Sequence, residues 1–490
     1  MKIRQAVNPF LPSYEYIPDG EPHIFGERIY LYGSHDKFNG VSFCRNDYVC
    51  WSADINDLSD WQYEGVIYKR RQDPKARRFE FIDTLYAPDV CQGADGRYYL
   101  YYTLGYTSRI GVAVCDKPAG KFEFFDYVHY PDGTLLGARG EPLQFDPCVF
   151  ADTTGEVYLY SGFAPARYPK FLIGRFSPSV AGAMAMRLNA DMVTVEGNIS
   201  YIGATVKNSA GTGFEGHEFF EAPSMRKFNG KYYFIYSSVR GHELCYAVSN
   251  KPTEGFKYGG VLISIGDIGV NGNTKPMNYL GNTHGSLIKI KYRYYVFYHR
   301  QTNRNQFSRQ ACAEEITFRN GKFLQAELTS CGLNGRPLRG IGEYKARIAC
   351  HLYSRRGART YGVFKRRKGI HPYFTQSGRD RNHTPAQYIA NFKHGATAGF
   401  KYFNFDGANQ IIVTIKGNPR GKLIVSETPT GKAVAKIRLT PCKDLTDFYA
   451  PLHVDSGKGA LYFTYEGTGS FIFKSFVLQQ VIRGNKDAED

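Results

Sequence analysis

The sequence predicts an all-β chain: a five-bladed β-propeller followed by a β-sandwich of jelly-roll type. Three observations carry that reading. One tyrosine-rich strand pattern recurs five times in the first two-thirds of the chain. The composition favours strands and tight turns, with 38 Tyr, 35 Phe and 52 Gly among 490 residues, because aromatic side chains fit pleated surfaces and glycine fits the turns between them. Beyond residue 343 the aromatic repeat stops and short strands of a different character follow.

The repeat reads Glu27–Gly33, Gly96–Tyr102, Gly155–Ser161, Gly230–Tyr236 and Tyr292–Tyr298. Each is an aromatic and β-branched run, and four of the five carry a glycine at or beside the preceding turn, as a hairpin does. A second strand follows in three units, at Val49–Asp54, Gly111–Asp116 and Cys245–Asn250. Each of these leads into a further aromatic strand, at Trp61–Tyr63, Phe122–Phe124 and Phe256–Tyr258. The unit is therefore a meander of about four strands, which is the build of a propeller blade. Five units ending near residue 325 make five blades. A large sandwich would explain the strands but not five copies of one pattern.

The expected division is a propeller over residues 1–325, a linker over 326–342 and a sandwich over 343–490. An entry strand is expected over Tyr344–Cys350. Further strands are expected over Ala398–Phe403, Gln410–Ile415, Lys422–Val425, Ala435–Leu439, Ala460–Tyr465 and Ser470–Phe473, at sandwich spacing.

Charge and cysteine usage narrow the class. Net charge is +17, much of it between Lys345 and Lys393, where Arg355, Arg356, Arg359, Lys365, Arg366, Arg367 and Lys368 cluster. Such a patch can attract an acidic polymer, but no nucleic-acid motif accompanies it, and a solvated basic surface is the plainer reading. No stretch approaches the ~20 apolar residues of a membrane span. Neither nucleic acid nor membrane is expected as a partner, and the oligomeric state is not legible. None of the ten cysteines forms a CxxC pair, so no zinc or redox motif is present. Met1–Pro9 lacks an apolar secretory core, so a cytoplasmic setting with reduced thiols is expected, the alternative being a secreted protein whose signal has been removed.

About ten residues before each tyrosine-rich strand stands a residue with chemistry. These are Asp19, Asp89, Asp146, Glu221 and His284, one per unit. In a propeller the first strand of each blade lines the central channel, so these side chains should converge on one axis. A lone Asp-Pro or Asp-Gly is usually a turn former. Several acids converging is different, because crowded like charges raise one another's pKa at a cost that a working site can use. Glycoside hydrolysis uses such a contrast: one carboxyl stays protonated to serve the leaving oxygen while another is ionised.

On these residues the chain resembles glycoside hydrolase family 43, over roughly residues 8–325. The resemblance implies a five-bladed propeller that removes α-L-arabinofuranosyl or β-D-xylosyl units from plant-polysaccharide-derived glycans. It implies exo action with inversion, and an oligosaccharide or polysaccharide as partner. Asp19 is then the general base, favoured by its position over the nearby Glu15 and Glu21. Asp146 holds the acid's pKa high, and Glu221 is the general acid. Asp89 and His35 line the pocket, and Arg300 contacts the sugar. No cofactor is required for the chemistry; His284 resembles an axial histidine that sits beside a structural calcium ion. Hydrolysis of galactosides or galactofuranosides, a retaining fructosyl-type mechanism and a non-catalytic glycan-binding propeller are the alternatives. The C-terminal part resembles a family-6 carbohydrate-binding module, through Gly421–Val425 and Ala460–Gly469. Both tryptophans, Trp51 and Trp61, fall in the propeller. That leaves Tyr373, Phe374 and Tyr388 as sugar platforms, with buried packing as the plainer reading.

Overall fold

The computed structural model describes residues 4–77, 83–105, 107–167, 178–362, 369–381 and 386–481. The first blade is an antiparallel meander of Glu21–Phe25, Arg28–Tyr32, Tyr48–Asp54 and Asp57–Tyr68. The second holds Asp89–Gln92, Tyr98–Thr103, Ile110–Cys115 and Glu123–Tyr127. The third holds Cys148–Ala151, Val157–Ser161, Ala183–Leu188 and Val195–Ile202, and the fourth Phe219–Phe228, Lys231–Ser238, Glu243–Ser249 and Lys257–Ser264. The fifth has three strands, Leu287–Ile290, Arg293–Arg300 and Gln310–Ile316.

The tyrosine repeat has a physical reason. Blades stack face on face, so their middle strands are buried on both sides and read as continuous aromatic runs rather than alternating ones. The last tyrosine of each copy is buried, and each hydroxyl has an acceptor. Tyr32 donates to the Pro118 carbonyl at 2.6 Å, Tyr102 to Asp73 at 2.6 Å, Tyr160 to the Pro252 carbonyl at 3.0 Å, Tyr236 to the His217 carbonyl at 2.7 Å and Tyr298 to Glu314 at 3.1 Å. The phenol ring supplies apolar area and its hydroxyl ties down a loop. The ring closes through a side chain. Asn8 donates to the Ala313 carbonyl at 2.8 Å and accepts from the Ala313 N–H at 3.0 Å, copying the pairing of a fourth strand on the fifth blade.

The C-terminal part is two facing sheets. One runs Leu338–Arg339, Thr397–Phe405, Gly457–Thr468, Arg420–Ser426 and Ala433–Leu439, with His351–Tyr353 also on Thr397–Phe405. The other runs Tyr373–Gln376, Gln387–Phe392, Phe471–Gln479, Gln410–Gly417 and Cys442–Pro451, with Gly342–Lys345 on Phe471–Gln479. Phenylalanines from the two sheets interlock between them. Phe400 meets Phe476 at 4.8 Å, Phe463 meets Phe476 at 5.0 Å and Phe463 meets Phe473 at 5.3 Å. Each such pair adds about 0.5–1.5 kcal/mol beyond area burial.

Several elements differ from expectation. The entry strand is shorter, Gly342–Lys345, and turns into a 3-10 helix over Ala346–Ile348. Leu338–Arg339, in the stretch read as a linker, pairs with Thr397–Phe405. Cys442–Pro451 shows no apolar period because it is an exposed sheet edge. Phe374 is buried under the Arg300 guanidinium, 3.9 Å from the ring centroid, and Arg304 covers Tyr373 at 4.6 Å. The Phe374 ring is thus packed inside, as its plainer reading expects, and one face of Tyr373 is taken. Lys365, Arg366, Arg367 and Lys368 lie outside the described residues.

Candidate active site

The inner strands of the blades begin where the sequence places its acids. Asp19 and Asp146 both have left-handed backbone, at φ 58 and φ 50, and Ala222 beside Glu221 has φ 63. Such residues cost on the order of 1–3 kcal/mol and persist where their surroundings fix them; aspartate tolerates the region better than most. Close packing fixes them here. A side chain at Gly33 would lie 2.5 Å from the Pro18 carbonyl, next to Asp19. One at Gly285 would lie 1.9 Å from the Phe297 carbonyl, next to His284.

Four of the expected residues come together. His284 Nδ1 lies 3.7 Å from Asp146 Oδ2 and 4.0 Å from Asp19 Oδ1. Asp19, Asp146 and His284 are each 5% exposed, whereas Glu221 keeps a partly exposed edge. Burial and the neighbouring Asp19 charge push Glu221 up to about 8, against a smaller pull from Arg309. Burial raises Asp146 well above the carboxylate range, with Glu221 and Asp19 adding to it. Asp19 behaves in the opposite way. Burial alone would raise it, but Arg309, His299 and His284 outweigh that and hold it below its ordinary value. The three carboxyls therefore carry one fixed anion on Asp19 and a retained proton shared between Asp146 and Glu221.

Two of Asp19's partners escaped the sequence reading. Arg309 Nη1 donates to Asp19 Oδ1 at 2.9 Å, and the same guanidinium grips Asp36 through Nε at 2.8 Å and Nη2 at 3.0 Å. His299 Nδ1 lies 3.4 Å from Asp19 Oδ1, and its Nε2 donates to the Asn282 carbonyl at 2.9 Å. Burial, with Arg309 nearby, lowers His299 to about 3, so it is neutral.

Arg300 is a correction. Strand neighbours point to opposite faces. His299 faces Asp19, and Arg300 therefore faces away, donating to the Arg347 carbonyl at 2.7 Å and to Gln310 at 2.9 Å. Asp89 is a second correction. Its oxygens are taken by His23 Nε2 at 2.6 Å, the Val90 N–H at 2.8 Å and the Val149 N–H at 2.9 Å, so it ties the second blade to the first and third. His35 is a third. It is buried, with Nδ1 on the Asp47 carbonyl at 2.9 Å and Nε2 accepting from Arg381 at 3.2 Å, and neither ring nitrogen is left for a sugar.

Further along the inner strands, Arg226 crosses from the fourth blade to the first and fifth. It donates to Glu21 Oε2 at 2.6 Å and to the Leu287 carbonyl at 2.9 Å. Glu21 Oε1 has no hydrogen-bond partner among the described residues and lies 3.9 Å from His284 Nε2. Burial raises Glu21 to about 7, with Arg226 opposing. Burial lowers His284 to about 4, leaving its imidazole neutral and able to act as a ligand.

The family model for glycosyl hydrolases family 43 matches residues 8–323. A xylosidase/arabinosidase of Thermoclostridium stercorarium is 49% identical over 97% of this chain and 99% of that protein. A xylosidase/arabinosidase of Bacteroides ovatus is 31% identical, over 59% of this chain and 87% of that protein. Among solved structures, a family 43 arabinoxylan arabinofuranohydrolase from Bacillus subtilis, in complex with cellotetraose, has the same fold. Its TM-score is 0.50 at 20% identity, covering 98% of both chains. A family 43 β-xylosidase/α-arabinofuranosidase from a compost metagenome, in complex with xylotriose and in a calcium-free form, gives 0.51 at 24% identity over 66% of this chain and 98% of that one.

Proposed function

The chain belongs to glycosyl hydrolases family 43, and from that premise we propose that it is an exo-acting, inverting glycosidase that removes α-L-arabinofuranosyl or β-D-xylosyl units from plant-polysaccharide-derived glycans. One observation carries the mechanism: within one buried cluster Asp19 is held low while Glu221 is pushed up to about 8. That is the split a single-displacement hydrolysis needs.

Asp19 is the general base. Arg309 fixes its orientation, and it takes a proton from a water whose oxygen attacks the anomeric carbon. Glu221 is the general acid. As the glycosidic carbon–oxygen bond breaks, its electron pair goes to the leaving oxygen, which takes the Glu221 proton. Burial and the Asp19 charge keep that proton on at neutral pH, and Asp146, itself raised by burial and by its two acidic neighbours, shares it. After product release the proton on Asp19 is exchanged through solvent for the one Glu221 lost. The choice of sugar rests on the named relatives.

A calcium ion beside His284 belongs to the same proposal. The partnerless Glu21 Oε1 and the neutral His284 Nε2 support it. They would hold the ion, with waters completing the ~6–8 ligands that calcium takes. The ion would supply a fixed positive charge. Chelation should lower the thermal midpoint and added calcium should restore it; an unchanged midpoint removes the ion from the account. A cytoplasmic setting is proposed too, supported by ten free thiols.

The test is a screen against nitrophenyl α-L-arabinofuranoside, β-D-xyloside, β-D-galactofuranoside and β-D-galactopyranoside, with Glu221→Ala as control. Turnover of the arabinoside or xyloside, lost in the variant, is expected. Undiminished turnover in the variant would overturn the acid assignment.

A further inference from the structure

Asp36 carries the guanidinium that holds Asp19, yet the segment around it, residues 35–46, forms no strand. Both Asp36 oxygens are committed. Oδ2 accepts from the Arg309 backbone N–H at 3.0 Å and from its Nε at 2.8 Å, while Oδ1 accepts from Nη2 at 3.0 Å and the Cys44 N–H at 3.0 Å. A displacement of Asp36 therefore passes to Arg309 and on to Asp19.

The segment is held by the fifth-blade loop, where Ser308 and Asn303 bond Asn39, and also from outside the propeller. The chain after Tyr373–Gln376, on the sandwich, reaches over the first blade. Asp380 Oδ1 accepts from the Phe38 N–H at 2.6 Å, and Oδ2 from Asn46 Nδ2 at 3.1 Å. That same Asn46 amide donates to the Asp36 carbonyl at 3.0 Å. Arg381 Nη1 donates to His35 Nε2 at 3.2 Å, and Nη2 to the Tyr63 hydroxyl at 3.1 Å. Two consecutive sandwich residues thus grip both ends of the segment.

We propose that Asp380 and Arg381 are positioning residues for the propeller's reaction: they clamp residues 35–46 so that Asp36 sets the Arg309 guanidinium on Asp19. The inference rests on Asp19 being the base. It assigns the sandwich a part in catalysis that does not depend on binding sugar. The clamp acts on orientation, and a displacement of about 1 Å at a reacting group can cost on the order of 100-fold in rate.

The test measures kcat, KM and thermal midpoint on the full chain, with whichever nitrophenyl glycoside the wild type turns over. Asp380→Ala should lower kcat by about 10- to 100-fold, with KM and midpoint near wild type. Asp380→Glu keeps acceptors for both Phe38 and Asn46 and should recover most of the loss. Arg381→Met should move kcat in the same direction, with recovery in Arg381→Lys; this second pair decides if Asp380→Ala does not fold. Wild-type kcat in both Asp380→Ala and Arg381→Met overturns the clamp. So does a loss that the conservative variants fail to recover, or one that tracks only the unfolded fraction. Asp19→Asn is run alongside. If it is inactive while Asp380→Ala is unaffected, the clamp alone fails; if it is fully active, the base assignment itself fails.

Discussion

Two of the buried charge clusters among the described residues are held in opposite ways. On the propeller axis three carboxyls, Asp19, Asp146 and Glu221, meet one guanidinium that is shared with Asp36. Between propeller and sandwich, Asp267 and Glu327 meet Lys401 and His351. Lys401 Nζ lies 2.9 Å from Asp267 and 2.8 Å from Glu327, and His351 Nε2 lies 2.7 Å from Asp267. In the second cluster both carboxylates hold a direct bond from the Lys401 ammonium. Burial alone would raise Asp267, but His351 and Lys401 outweigh it and hold the carboxyl low. In the first cluster the acids outnumber the one guanidinium, so Asp146 and Glu221 retain a shared proton that they would lose in water. Carboxylates bonded directly to a cation fasten two parts together; carboxyls crowded without one store a proton that chemistry can use.

The sharpest break in this comparison is Asp19→Asn. Removing the one fixed anion on the axis should lower kcat/KM by about 1000-fold, with the thermal midpoint lowered only modestly, because Arg309 keeps its bonds to Asp36. Lys401→Met should do the reverse. It strands Asp267 and Glu327 without their cation, which costs about 3–5 kcal/mol of stability, while kcat per folded molecule changes little. If Lys401→Met proved catalytically dead but fully stable, the division of labour would be wrong.

The smallest expected effect lies in pH. Glu221 has a folded pKa raised to about 8, against an ordinary value of about 4.3. Its stabilising contribution is therefore fully present below the ordinary value and is lost as pH rises through about 8. Asp267 has a lowered folded pKa. Its contribution is present above its ordinary value and is lost as pH falls through the folded one. Comparing Glu221→Gln with wild type between pH 5 and 8 should show the variant's midpoint declining less, by about a few degrees. In the wild type, kcat/KM should fall above about pH 8, as the acid loses its proton. An alkaline limb several units away would contradict the assignment.

The sequence carried the blade repeat because it is a local pattern, and the same register located Asp19, Asp146, Glu221 and His284 at the heads of inner strands. It did not carry the partners. Arg309 sits nearly three hundred residues from Asp19 in the chain, and only ring closure brings it there. The Arg300 error was one of parity, since a one-residue slip in a strand reverses the face; reading His299 as the inward residue of that strand would have corrected it. Asp89 occupied the expected position, but its oxygens were claimed by His23 and two backbone N–H groups, which no motif announces. Strand Cys442–Pro451 was missed because an exposed edge carries no hydrophobic period.

The central claim is that Asp19 activates water while Glu221 protonates the leaving group on opposite sides of one bond. The direct measurement is proton NMR of the first sugar released from the aryl glycoside that the enzyme turns over, recorded before mutarotation. The account predicts the anomer opposite to that of the substrate. Release of the same anomer would require a covalent intermediate on one of these carboxyls, and would contradict it.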